Sequence, residues 1–292
     1  MTTTYFTSPE GRRLAYRASA PTRSPLTYVW LSGFKSDMSG TKVTELEAWA
    51  TEAGHGFLAF DYSGHGLSDG PPAPYSMGAM VRDVEAILDH LDLRDVMICG
   101  LSLGGMIAQG LAVKRLDQIR TLVLAGTAAK IGMPKLWEDR SEAVRKHGLD
   151  ALADEIAKHW FLRKGRDFLS PAGLPQWREM LVDTPVEGYC GTIAALSGTD
   201  FFTPTSGLRL PALGICGVDD RATPPDLMRE TLDLIPGSDF KIIRRAGHLC
   251  CVEQPEQFAR HLSDFIQRTG HRSMPNTAPI LQKQNGCCSG RS

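Results

Sequence analysis

The chain has 292 residues, 42% hydrophobic and 22% charged, with 32 basic against 33 acidic side chains and a formal net charge of −1. That balance suits a globular protein and excludes the one-sided charge field that a nucleic-acid or membrane-surface partner needs. No apolar run approaches the ~18 residues of a membrane span. The start, Met1-Thr2-Thr3-Thr4-Tyr5, has no basic stretch leading into an apolar core, so no secretory signal is expected and a cytoplasmic protein is.

Residues 1–20 read as a hairpin turning at Ser8-Pro9-Glu10-Gly11. Leu26 to Leu31 is a buried strand that ends at Ser32-Gly33-Phe34, and a helix is expected over 43–53. The next strand, Gly56 to Asp61, runs into the turn-rich segment Tyr62 to Gly70. His65 lies there between two glycines, with no second ligand beside it, and reads as part of a structural loop rather than a metal site. A helix follows over 77–91, its Met80, Val84, Ile87, Leu88 and Leu91 recurring at helical spacing.

The segment Val96 to Ile107 reads as strand, tight turn and helix. Its turn carries Gly100-x-Ser102-x-Gly104, the nucleophile-elbow spacing. A serine on such a turn has a strained backbone, and its neighbours two positions away must lack Cβ. The turn lifts the hydroxyl above the sheet, and the Leu103 N–H points toward a reacting carbonyl. A second oxyanion donor is expected from the loop after the 26–31 strand, where Phe34 N–H follows Gly33. Arg120 to Gly126 is a further buried strand. Apolar strands alternating with amphipathic helices imply an α/β fold with a parallel sheet covered on both faces.

The alternation stops at about residue 127. Up to 208 there is no clear strand, only helical stretches such as 141–147 and 149–159, with loops expected around Pro134, Gly165, Pro171 and Gly188. Large residues are frequent here, Trp137, Trp160 and Phe161 among them. Trp160 reads as core of this segment. Trp137 and Arg140, three apart, share a face if their segment is helical.

The pattern resumes with a strand over 211–217, a helix over 225–235, a strand over 240–243 and a helix over 255–268. A serine nucleophile needs a base, and the base an orienting carboxylate. Asp220, in the loop after the 211–217 strand, is the expected carboxylate, with Asp219 its rival. His248, in the loop after the 240–243 strand, is the expected base. Apart from His65, the other six histidines fall in helices, at helix ends, before a strand or in the tail. Residues 271–292 are polar and aperiodic and read as a disordered tail. Of seven cysteines, Cys99 and Cys216 sit in apolar strands. The adjacent pairs Cys250-Cys251 and Cys287-Cys288 have no zinc-ligand spacing, so all seven are expected as thiols and no metal site is expected.

With elbow, carboxylate, histidine and helical insertion in this order, residues 10–268 resemble the α/β-hydrolase superfamily. The resemblance implies a mostly parallel eight-stranded sheet flanked by helices, with a helical lid inserted after the 120–126 strand. Residues 1–126 and 209–270 would form the core and 127–208 the lid. From about residue 75 the chain is similar to 3-oxoadipate enol-lactonases, in Cys99 to Gly105, Ala125 to Gly132, Trp137-x-x-Arg140, His159-Trp160-Phe161, Glu187-Gly188-Tyr189 and Ala222-Thr223-Pro224. Residues 28–70 resemble instead the branch that includes the animal mitochondrial acyl-hydrolases numbered ten in the abhydrolase series. That likeness rests on Gly33 to Met38, Gly40-Thr41-Lys42 and Phe60 to Gly64.

The resemblance implies a cofactor-free serine hydrolase of a small lactone or carboxylic ester, with Ser102, Asp220 and His248 catalytic and the Phe34 and Leu103 amides holding the oxyanion. Trp137 and Arg140 would be the wall and clamp for a carboxylated substrate. A carboxylesterase, an acyl-thioesterase, or a non-hydrolytic use of the fold as a cofactor-free lyase or ligand receptor are the alternatives.

Overall fold

The computed structural model describes residues 2–24, 26–161 and 173–269. The strands are β1 (Thr4–Thr7), β2 (Arg13–Ser19), β3 (Thr27–Leu31), β4 (Gly56–Phe60), β5 (Val96–Leu101), β6 (Ile119–Ala125), β7 (Ala212–Gly217) and β8 (Asp239–Ile243). They form one eight-stranded sheet in the order β1-β2-β4-β3-β5-β6-β7-β8. β1 and β2 pair antiparallel, as do β2 and β4, and the remaining pairs are parallel. Every residue of β3, β4, β5 and β7 is buried. A sheet covered on both faces has no polar side, which is why these strands read as unbroken apolar runs.

The covering helices are α1 (Thr41–Ala53), α2 (Met77–His90), α3 (Leu103–Lys114), α9 (Pro225–Asp233), α10 (Cys250–Glu253) and α11 (Pro255–Arg268). α2 opens on Ser76, whose hydroxyl accepts from the Ala79 amide, a cap that satisfies one orphan donor of the first turn. α11 buries Phe258, Leu262 and Phe265, a single stripe at helical spacing, and Phe258 meets Trp30 of β3 edge-on at 6.5 Å. The chain passes from β3 to β4 on one side and returns to β5 on the other. Such a reversal opens a crevice beyond the carboxyl ends of the strands, where ligands bind in open α/β sheets.

Between β6 and β7 lie α4 (Pro134–His147), α5 (Ala153–Trp160), α6 (Gly173–Val182), α7 (Val186–Ser197) and α8 (Phe202–Ser206). Two expected loops are helical. Pro134 is the first residue of α4, where a missing N–H leaves no bond unmade. Gly188 is inside α7, and a Cβ there would lie 2.0 Å from the Gly64 carbonyl oxygen, so this glycine serves a close helix–loop approach, not a turn. The loops expected at Gly165 and Pro171 and the tail expected over 271–292 lie outside the described residues. Among the described residues no helix is long and apolar enough to cross a membrane, and Cys99, Cys190, Cys216, Cys250 and Cys251 are free buried thiols.

The segment after β4 is tied down from within. Asp61 accepts from the Met38 amide at 2.7 Å and the Leu67 amide at 2.9 Å, joining the loop after β3 to the loop after β4. His65 is 2% exposed and packs beside Tyr62 and Phe34. Burial pushes its pKa down to about 4, although the Ser63 carbonyl and the Asp37 charge pull the other way. The unfolded chain therefore takes up a proton near pH 6.5 that the folded chain refuses until about pH 4. Stability held above pH 6.5 falls as the pH drops through this window, by up to about 3 kcal/mol. Thermal melts from pH 7 to pH 4 should show a shallower acid decline in His65→Gln than in the parent chain. Parallel declines would contradict this account.

Candidate active site

Ser102 is the single residue between β5 and α3, with φ 54° and ψ −115°. A non-glycine residue in this sparsely populated region costs about 1–3 kcal/mol, and it persists because its surroundings hold it. The Ser102 amide donates to the Ala125 carbonyl at 2.9 Å, and the Thr127 hydroxyl donates to the Ser102 carbonyl at 2.7 Å. The flanking glycines are a steric requirement. A Cβ on Gly100 would lie 2.2 Å from the Gly104 carbonyl oxygen, and one on Gly104 would lie 2.2 Å from that of Leu31. β3, β5 and the start of α3 are thus pressed together backbone to backbone, and the turn brings Ser102 to the cavity that Leu101 also lines.

Among the described residues the two expected amide donors are both unspent. Leu103 opens α3, so its N–H has no intrahelical acceptor. The Phe34 N–H, in the loop after β3, donates to no acceptor among the described residues.

Asp220 and His248 come together at the far end of the sheet from β1. His248 Nδ1 lies 2.9 Å from Asp220 Oδ2 and 3.1 Å from Oδ1, and both residues are buried. The rival Asp219 is exposed. Asp220 also accepts from the Ala222 and Thr223 amides and from the Thr223 hydroxyl, each at 2.9 Å. Burial pushes its carboxyl up, but the facing His248 and these donors outweigh it and hold the pKa below the ordinary aspartate value. Asp220 is therefore an anion at neutral pH, and an Nδ1–H on His248 is the tautomer it favours. The sequence reading holds Thr223 only as part of the Ala222-Thr223-Pro224 run and gives it no role in the site. Its signal was the Asp-x-x-Thr spacing, since a threonine three residues on can close a turn onto the carboxylate.

Ser102 and His248 line one cavity of about 300 Å³ with Phe34, Trp137, Arg140 and Trp160. Among the described residues Ser102 and His248 form no hydrogen bond with each other; such contacts often tighten only around bound substrate. Trp137 is half-buried and fixed by its indole N–H, which donates to the Ile131 carbonyl at 2.7 Å. Arg140 is half-buried on the same helix, α4, and lines the same cavity. Burial pushes the nearby Tyr189 hydroxyl up to about 12, and the Arg140 charge offsets part of that rise. Trp160 is buried against Trp177 as expected of core, but it also forms cavity wall. So the fold brings Ser102, Phe34, Trp137, Arg140 and His248 to one cavity, with Asp220 behind His248.

The sequence pattern of the alpha/beta hydrolase family matches residues 28–261. Among characterised proteins, the chain is 31% identical to 3-oxoadipate enol-lactonase 2 of Acinetobacter baylyi over 211 residues, 72% of this chain and 78% of that one. It is 36% identical to the mitochondrial palmitoyl-protein thioesterase ABHD10 of Mus musculus, over 101 residues that make up 35% of this chain and 34% of that one. Both branches that the sequence resembles are thus among its relatives. In three dimensions it is similar to the crystal structure of the enol-lactonase from Burkholderia xenovorans LB400. That match has a TM-score of 0.83 and 30% identity, covering 90% of this chain and all of the other.

Proposed function

This chain belongs to the alpha/beta hydrolase family, and we propose that within it the chain is a serine hydrolase of small lactones or carboxylic esters, most like a 3-oxoadipate enol-lactonase. The observation that carries the reading is the buried Asp220–His248 pair, 2.9 Å apart, bordering the cavity onto which the strained Ser102 opens. Ser102 Oγ attacks the carbonyl carbon while His248 Nε2 takes its proton. Asp220 stabilises the imidazolium through Nδ1–H. The Leu103 and Phe34 amides receive the negative charge of the tetrahedral intermediate. The intermediate collapses, His248 protonates the departing oxygen, and an acyl group remains on Ser102. In a lactone the departing oxygen stays tethered to that acyl group. A water that gives its proton to His248 then releases the acid. The cycle calls on no metal or organic cofactor. The helices between β6 and β7 act as its lid.

Trp137 and Arg140 support the narrower assignment, as an apolar wall beside a cation suited to a carboxylated lactone. Arg140→Ala should lower kcat/KM for 3-oxoadipate enol-lactone about tenfold or more, measured as a ratio to a neutral short-chain ester. An unchanged ratio would leave the general esterase reading in place and remove the lactonase one. Acyl-thioesterase activity is the second reading, favoured by the likeness to ABHD10. A short acyl-thioester turned over faster than either oxygen ester would establish it. A cytoplasmic location belongs to the same proposal and accords with five buried cysteines that are free.

A further inference from the structure

Lys35 follows Phe34 in the loop after β3, and nothing in the catalytic cycle above uses it. Its backbone is left-handed, with φ 63°, a conformation that a lysine adopts only when its surroundings demand it. Its side chain is driven inward, and the residue is 5% exposed. The ammonium lies over three aromatic rings, 4.9 Å from the Phe34 centroid, 5.1 Å from Trp160 and 5.2 Å from Tyr189. Among the described residues it meets no carboxylate and donates to no oxygen. Lys42, the other buried lysine of this region, donates to the Ser36 hydroxyl at 2.8 Å.

A buried cation without a counter-ion is costly, and proteins ordinarily pair it. Ring faces hold an ammonium without supplying an anion, so its charge stays available to one that arrives. Lys35 lines the same cavity as Ser102, His248 and Arg140. Burial first, and then the like charge of Arg140, press its pKa well below the ordinary lysine value. Lys35 and Arg140 share one pocket, and a negative group entering beside them favours the charged form of Lys35 and offsets both penalties.

We propose that Lys35 is a specificity-determining residue which, with Arg140, forms an anion-binding pole that takes the carboxylate of the substrate's acyl portion while its carbonyl lies at Ser102. The proposal rests on the serine-hydrolase reading and deepens it. Charge recognition then resides chiefly in the oxyanion loop, where the chain departs from the enol-lactonase pattern, and Arg140 is its partner.

The test compares mono-4-nitrophenyl glutarate with 4-nitrophenyl butyrate in the full chain. The ratio of their kcat/KM values should fall at least about tenfold in Lys35→Met and recover in part in Lys35→Arg. A ratio that stays within about a factor of two in Lys35→Met overturns the proposal. A binding measurement on Ser102→Ala keeps lysine in place and needs no turnover. Glutarate, and not glutaramide, should slow the acetylation of Lys35 by acetic anhydride, read by peptide mass. Equal protection by both, or by neither, overturns the proposal. Failure of the hydrolase reading has a different signature, in which neither nitrophenyl ester acylates Ser102 while glutarate still protects Lys35.

Discussion

Replacing Ser102 with alanine should lower kcat for 4-nitrophenyl butyrate by about 10⁴- to 10⁶-fold, the range for loss of a serine nucleophile. The size of the effect follows from the route. Without the hydroxyl no acyl-enzyme forms, and what remains is the modest advantage of a bound ester facing two amide donors. The fold should not suffer. The Ser102 hydroxyl makes no hydrogen bond among the described residues, and its backbone bonds to Ala125 and Thr127 do not involve the side chain. Melting of the variant should match the parent chain, so a large kinetic loss at unchanged stability separates a chemical role from a structural one. A loss under tenfold would mean that another group performs the attack.

Asp220→Asn should lower kcat by about 10⁴-fold with geometry nearly intact, as for other triads in which the carboxylate becomes an amide. The amide NH₂ cannot accept the Nδ1–H of His248, so the imidazole is driven to the tautomer that leaves Nε2 protonated and unable to act as base. This variant should also lose stability. Asp220 accepts from two amides, a hydroxyl and His248, and an asparagine oxygen cannot serve them all, which costs about 1–3 kcal/mol. Its carboxyl pKa is lowered in the fold, so its stabilising contribution is complete above the ordinary aspartate range. The contribution disappears as the pH falls through the lower, folded value. The parent chain should therefore lose stability in strong acid through a term that Asp220→Asn lacks, visible in paired melts between pH 5 and pH 2. Full activity in Asp220→Asn would transfer the role to Asp219 or remove the carboxylate from the mechanism.

The central strands were readable because burial on both faces makes them largely apolar: β5 and β7 carry no polar residue, and β3 only Thr27 at its start. Ser102, Asp220 and His248 were readable for a related reason. Ser102 and Asp220 lie just after such strands, and His248 lies in the loop after β8, a partly exposed strand, where loops at strand ends are the expected place for chemistry. The segment between β6 and β7 was harder. α4 buries only Val144 outright, so its apolar stripe is thin, and α7 carries Gly188 and Gly191 inside the helix. The Cβ atoms these glycines lack would strike the Gly64 carbonyl and the Tyr75 ring, contacts that no local window displays. Lys35 was invisible for the strongest version of this reason. Its burial depends on Trp160 and Tyr189, which lie more than a hundred positions away in the chain, and a lysine in a loop otherwise reads as solvated.

The proposed reaction passes through a covalent bond to one oxygen, Ser102 Oγ. Rapid quenching of the full chain with 4-nitrophenyl butyrate, followed by peptide mass spectrometry, reads that bond directly. The expected result is one butyryl group on the peptide bearing Ser102, formed together with a burst of nitrophenolate, released on further incubation, and absent from Ser102→Ala. Turnover without any acylated Ser102, or acylation located on another residue, would contradict the mechanism. A stable adduct that never turns over would point instead to a receptor that keeps the triad.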